Sequence, residues 1–224
     1  MNLRCVVACA PLLLLLATPV VAQEKALPKA GAQASAAAAV EYRPPARGAP
    51  RVRVGGSTRS MARSLSLVVL TPDHVGLAAT DQPEFFWYIS QSVKAPLEFS
   101  IVPVDGAEPL VEAPIAPVAA AGIQRIALAD LGVKLRPGEE YQWTVSLMRD
   151  SRSRSKEAVA SGRVRVQLPP ARIAPSYADY ARAGYWYDAL AELRRQMSAN
   201  PSDPALAAAQ QSLMEQIGLA EIVR

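Results

Sequence analysis

Thiols are nearly absent from this chain. Its 224 residues contain two cysteines, Cys5 and Cys9, so everything after position 9 is barred from disulfides, thiolate metal sites and cysteine nucleophiles. Histidine is scarcer still. His74 is the sole imidazole; it gives a zinc site no second nitrogen ligand, and no motif sets a serine against it for a Ser-His-Asp relay. No carboxylate cluster has calcium-loop spacing. Glu139 and Glu140 open an expected strand, where successive side chains point to opposite faces, so they are not expected to work as a facing acid/base pair. Gly55-Gly56-Ser57-Thr58 lacks the lysine of a phosphate loop. These absences leave no catalytic constellation, no metal site and no expected cofactor.

What is present begins with a leader pattern. Arg4, the apolar run Val6 to Val21 and the small residues before Gln23 predict a signal peptide over 1–22, cleaved after Ala22, and therefore a periplasmic or secreted protein. Cleavage would remove both cysteines, so stability must come from an apolar core. The next segment, 23–62, is rich in alanine, proline and arginine and reads as a disordered linker, because it offers too little apolar area to offset the entropy of ordering it. Net charge is only +4. Yet Arg43, Arg47, Arg51, Arg53, Arg59 and Arg63 follow one another without an acidic residue between them. Nucleic-acid surfaces interleave such charge with aromatics for stacking, and none occurs from Pro44 to Met61, so no nucleic-acid partner is expected. Weak contact of Arg51, Arg53 and Arg59 with an anionic membrane surface or polysaccharide stays open.

From Leu65 the pattern is that of strands. Leu65 to Leu70 is short and rich in β-formers, and Val75 to Thr80 reads as a further short strand. Phe85 to Ile89 is apolar on both faces and therefore central. Leu97, Phe99 and Ile101 alternate with Glu98 and Ser100; Pro109 to Ala113 reads as an edge strand flanked by prolines. Ile123 to Leu128 follows, then the stretch that organises the rest: Pro137-Gly138 turns the chain, and Tyr141, Trp143, Val145 and Leu147 fall on one face of a strand. A tyrosine there, bonding back to backbone just upstream, is a feature of immunoglobulin-like sandwich corners. Arg149 to Lys156 reads as a charged loop, and Ala158 to Leu168 as the last strand. The fold class predicted for 63–170 is mainly β, an immunoglobulin- or fibronectin-like antiparallel sandwich. Trp87, Phe99, Tyr141 and Trp143 are expected in its core.

Residues 171–224 change period. Ala178 to Ala199 has helical spacing, with Tyr180, Ala183, Trp186, Leu190 and Leu193 near one face, and a second helix runs from Pro204 to Ile217. The string around Ala183 to Leu190 is similar to part of a tetratricopeptide unit, which predicts a C-terminal helical hairpin. A lone unit needs a neighbour to bury its face. Trp186 is expected in the core, Tyr185 and Tyr187 on an interaction surface. Phe86 and Tyr88 would form a carbohydrate platform only on an open face.

Five motifs taken together, Y-R-P-P-A-R-G-A-P-R at Tyr42 to Arg51, G-G-S-T-R-S at Gly55 to Ser60, D-Q-P-E-F-F-W-Y at Asp81 to Tyr88, L-R-P-G-E-E-Y-Q-W at Leu135 to Trp143 and A-G-Y-W-Y-D-A-L at Ala183 to Leu190, resemble a bacterial family of exported proteins, DUF 928. The resemblance implies an extracytoplasmic protein and carries over no catalytic residue. It also implies one cysteine after the G-T-R element and another after the Y-x-W strand. Met61 to Ser64 and Met148 to Asp150 contain none, so a disulfide implied by the family has no thiols here. The function expected is a non-enzymatic adaptor of the cell envelope, whose partner is another envelope or secreted protein. An enzyme or carbohydrate-binding module acting on envelope polymers, and a self-associating structural protein, are the alternatives.

Overall fold

Side-chain alternation with period two gives the larger of two sheets its buried face. The computed structural model describes residues 40–45, 54–57, 65–116, 120–150, 153–169 and 176–222, all within one compact unit, Ala37–Arg224. The segment expected to be a signal peptide, 1–22, and Arg51, Arg53 and Arg59 lie outside the described residues. Strands β5 (Leu97–Pro103), β8 (Glu140–Asp150) and β9 (Ser153–Val166) form the middle of the larger sheet, with β1 (Val54–Ser57) and β6 (Val111–Ala116) completing the order β1-β9-β8-β5-β6. All these pairs are antiparallel. Register sets Phe99 against Val145, Ile101 against Trp143 and Trp143 against Gly162, so one face carries the sheet's large buried aromatic side chains. On that face Phe99, Trp143 and Val145 have no exposure at all, and Tyr141 is buried too.

The second sheet is smaller: β2 (Leu67–Val69), β4 (Glu84–Ile89) and β7 (Gly122–Ala127), with β4 in the middle. Phe85, Trp87 and Ile89 are buried on one face of β4, and Phe86 is buried on the other, as expected of a central run apolar on both sides. Phe85 meets Phe99 and Trp143 of the larger sheet at ring separations of 5.5 and 4.7 Å, within the range where aromatic pairs add to area burial. The molecule is therefore mainly β, two sheets joined by an aromatic core, with helices at its C-terminal end.

β3 (Gly76–Ala78) departs from the antiparallel expectation. It lies parallel to the end of β9, pairing Gly76 with Val164 and Ala78 with Val166, while β1 serves the Ala158–Ser161 stretch of the same strand. β9 is long enough to need two short strands along one edge. Two further expectations are corrected. Arg149 to Lys156 is not a loop across its whole length, since the β8/β9 ladder runs out to Asp150 opposite Ser153. Leu168 is 55% exposed and lies beyond β9, because the strand ends at Val166 before the prolines that follow. The tyrosine at the turn behaves as expected: the Arg136 backbone N–H donates to the Tyr141 hydroxyl at 3.1 Å, and that hydroxyl donates to Glu139 Oε2 at 2.7 Å.

The stretch of helical spacing from Ala178 to Ala199 is two helices, α1 (Tyr177–Arg182) and α2 (Trp186–Ala199), with the turn inside the string that begins at Ala183, and α3 (Pro204–Gln216) follows. The break has a local cause. Gly184 sits at φ +87°, and a Cβ there would stand 2.9 Å from the Arg43 carbonyl oxygen, so only glycine turns the chain at this point. Ser176 caps α1 and Asp203 caps α3, each side chain accepting from the backbone N–H two residues on, with Pro204 opening α3.

α2 begins inside the β-sheet core. Tyr185 and Tyr187, expected on an interaction surface, are 4% and 2% exposed. The Tyr187 ring sits 5.3 Å from Phe85 and 6.4 Å from Trp143, touching both sheets. Its hydroxyl accepts from Trp143 Nε1 at 2.8 Å and donates to the Arg163 carbonyl at 2.9 Å. Having one proton to give, it must also accept from Thr71 Oγ1, 2.9 Å away. Neighbouring Trp186 is fully buried and donates Nε1–H to the Leu70 carbonyl at 2.9 Å. The correction has a plain physical reason: a phenol with an apolar ring and one polar tip fits a core that contains three polar groups needing partners.

Room for this plug comes from glycine. A Cβ on Gly162 would lie 2.4 Å from Thr71 Cγ2 and 3.0 Å from Trp143 Nε1, and one on Gly76 would lie 2.7 Å from Tyr187 Cε2. The Thr71 and Trp143 groups near Gly162 are rigidly held, so Gly162→Ala is expected to cost about 2 kcal/mol through overpacking. Urea unfolding of the variant checks this; a midpoint equal to wild type would show that the indole and threonine can move aside.

The linker expectation for 23–62 fails at two places. Val40 and Tyr42 are buried, and Val54–Ser57 pairs with β9. Composition averaged over forty residues hides a short anchor.

Candidate functional site

Two of the hollows on the described surface carry charged side chains that differ in what they leave unpaired. The first, of about 620 Å³, is lined by Pro103 to Gly106, Arg136, Gly138, Glu139, Glu140 and Arg165. Glu139 and Glu140 thus border the same hollow, against the expectation that they point apart. Glu139 belongs to the turn and only Glu140 to β8, so strand alternation does not apply between them. Each carboxylate is already engaged. Glu139 takes the Tyr141 hydroxyl and lies 3.5 Å from Arg136, while Glu140 pairs with Arg165 and stands 4.0 Å from Arg163.

The second hollow, of about 370 Å³, lies between the smaller sheet and α2, lined by Glu84, Phe86, Ile123, Arg125, Ala191, Arg194, Arg195 and Ser198. Register places Phe86 beside Arg125 and Tyr88 beside Ile123 on one face of β4 and β7. Helical spacing brings Ala191, Arg194, Arg195 and Ser198 to one side of α2. The result is an apolar floor edged by three arginines and one carboxylate. Phe86 is covered and half-buried Tyr88 does not line this hollow, so the two do not form an open sugar platform.

The arginines are not equivalent. Arg125 pairs with Glu84 at 2.9 Å and with Asp130 at 3.6 Å, and Glu84 holds its guanidinium pKa above the usual value. Arg195 pairs with Glu192, which raises its pKa likewise. Arg194 is half-buried, and among the described residues its side chain has one hydrogen-bond partner, the neutral amide oxygen of Gln210 at 2.9 Å. Burial lowers its pKa with no carboxylate to offset it. A guanidinium holds its charge even so. It is a cation stripped of part of its water and not neutralised within the described residues.

His74 takes part in neither hollow. Its Nδ1 lies 3.6 Å from Asp73 and its Nε2 lies 2.9 Å from the Tyr42 hydroxyl, so its partner is a phenol and not a serine. Burial pushes its pKa down, partly countered by Asp73.

A family model described as Domain of Unknown Function (DUF928) matches residues 47–224. The chain belongs to that family. No curated protein matches the chain. The DUF928 range takes in both of these hollows and the aromatic core except for Tyr42, which lies in the stretch Val40 to Pro45 that precedes it. Of the residues singled out from sequence, Trp87, Phe99, Tyr141, Trp143 and Trp186 all fall in that core. The DUF928 residue that sequence reasoning missed is Arg194; its only signal was a double arginine directly after the apolar Leu193, on the rim of an amphipathic helix.

Proposed function

We propose that this DUF928 protein is an exported, non-catalytic recognition module: an immunoglobulin-like sandwich, with a tetratricopeptide-like helical hairpin fastened to it, that binds an acidic segment of another envelope or secreted protein. The observation that carries the reading is Arg194, a half-buried guanidinium on a cleft floored by Phe86 and Ile123 and without a carboxylate partner among the described residues. A partner carboxylate would supply a bidentate, charge-assisted pair at that point, and an apolar neighbour in the partner would cover the floor. The engaged carboxylates of the larger hollow support a non-catalytic role over an enzyme acting on envelope polymers, since neither glutamate is free of a cationic neighbour. The Tyr141 turn bond supports the immunoglobulin-like assignment.

The test is photo-cross-linking in the intact envelope from a benzophenone residue at Ser198. The expected product joins this chain to a different protein and is lost in Arg194→Glu. In binding measurements with the partner so identified, Arg194→Ala is expected to weaken affinity by about 2 kcal/mol, roughly thirtyfold. Products that contain only this chain would contradict the proposal and favour self-association.

A further inference from the structure

An extended segment of this chain lies bound against the helical tail as a peptide lies in a groove. Val40 and Tyr42 point in and are buried, while Glu41 and Arg43 point out. Tyr42 fills a socket: its ring stacks on His74 at 5.9 Å and meets Trp186 edge-on at 5.0 Å, and its hydroxyl reaches His74 Nε2. The backbone is read as well. The Gln216 side-chain amide accepts from the Tyr42 N–H at 2.7 Å and donates to the Val40 carbonyl at 2.5 Å, Ser212 donates to the same carbonyl, and Arg43 N–H donates to the Ala181 carbonyl. Gly184 lets the strand approach α1 and α2 this closely.

One side-chain amide satisfying a donor and an acceptor of an extended backbone, with alternate side chains in pockets, is the chemistry of peptide recognition. None of these contacts requires the peptide to belong to the same chain. The stretch from Pro45 to Val54 can span about 30 Å when extended, enough for the segment to leave its own groove.

We propose that the groove formed by α1, α3, His74 and Trp186 is a peptide-recognition site for Val40–Pro45, and that this segment of a second copy enters it in exchange for the chain's own, linking copies head to tail or as a swapped pair. The site is separate from the arginine-edged cleft and does not depend on its role.

The test uses full-length Tyr42→Ala protein and a fluorescein-labelled peptide of residues 38–47, followed by anisotropy. Saturable binding to the variant, at least tenfold stronger than to wild type, is expected, because in wild type the tethered segment competes at high effective concentration. The same peptide carrying alanine for tyrosine should not bind. Lack of saturation with a folded variant, or equal binding to both proteins, overturns the recognition site. Exchange is read independently in an otherwise cysteine-free chain, C5S and C9S, carrying Glu41→Cys and Glu215→Cys, two positions that border one hollow beside Val40. Differently tagged copies are mixed and oxidised. Disulfide-linked dimers containing both tags support exchange; disulfides formed only within monomers refute it, and this arm stands whether or not Tyr42→Ala folds.

Discussion

Tyr187→Phe is expected to destabilise the protein by about 3 kcal/mol or more, although it removes a single oxygen. The deleted hydroxyl serves Trp143 Nε1, Thr71 Oγ1 and the Arg163 carbonyl at once. Phenylalanine keeps the ring contacts with Phe85 and Trp143 but leaves those groups in a site with no exposure at Thr71 or Trp143. The Trp143 indole N–H loses its acceptor, and a buried donor left so costs about 1–3 kcal/mol; Thr71 and the Arg163 carbonyl each lose one bond as well, and because the three share one centre their costs do not simply add. Burial also holds the Tyr187 phenol pKa well above its usual value, so the neutral donor persists across the working pH range. Urea denaturation of Tyr187→Phe beside Tyr177→Phe, a half-buried tyrosine outside this node, checks the prediction. Equal midpoints for the two variants would mean that the node contributes little.

The second large effect has the opposite sign. Asp188, in the first turn of α2, accepts the Ala79 N–H at 2.7 Å, and burial raises its pKa to about 6, with that hydrogen bond pulling the other way. The folded-state pKa thus lies above the ordinary 3.8. The folded protein holds the proton more tightly than the unfolded chain does. This contribution to stability is fully present below about pH 4 and is lost as pH rises through about 6. A shift of this size corresponds to about 2–3 kcal/mol at neutral pH. Asparagine can still accept from Ala79 and does not titrate, so Asp188→Asn is expected to exceed wild type in stability by about 2–3 kcal/mol at pH 7.5 and to match it near pH 4. Unfolding free energies at the two pH values settle this through their difference, in which contributions from His74 and other groups cancel. Parallel pH profiles for variant and wild type would show that Asp188 is solvated in solution.

Both predictions concern the start of α2, the part of the fold least legible in the sequence. Period-two alternation made β5 and β8 readable, and an apolar run on both faces marked β4 as central; these patterns report burial directly because strand geometry repeats every second residue. Tyr185-Trp186-Tyr187 carries no such signal. Aromatic residues with polar tips suit a binding surface and a polar-lined core equally well, and what decides between them is the set of groups that meet them. Thr71 and Trp143, whose side chains hydrogen-bond the Tyr187 hydroxyl, lie 116 and 44 positions away in the sequence. Val40 and Tyr42 escaped notice because an alanine- and proline-rich context describes the average of a segment and not its two anchored side chains. Glu139 and Glu140 illustrate the limit from the other side: strand alternation was applied one residue too early, across the end of a turn. Arg194 could be placed on a helix from its spacing. That no carboxylate among the described residues answers it, while Glu192 answers its neighbour Arg195, depends on rotamers and on the position of α2 over the smaller sheet.

The proposed recognition cleft exists only while α2 stays docked, so the reading stands or falls on whether helix and sheets form one cooperative core. Native-state hydrogen exchange of the full chain measures this most directly. Backbone amides in the middle of α2, Leu190 to Leu193, are expected to open with the same free energy and the same urea dependence as those of Trp143 and Val145 in β8. Exchange of the α2 amides through a separate, low-energy opening that leaves β8 protected would contradict the account.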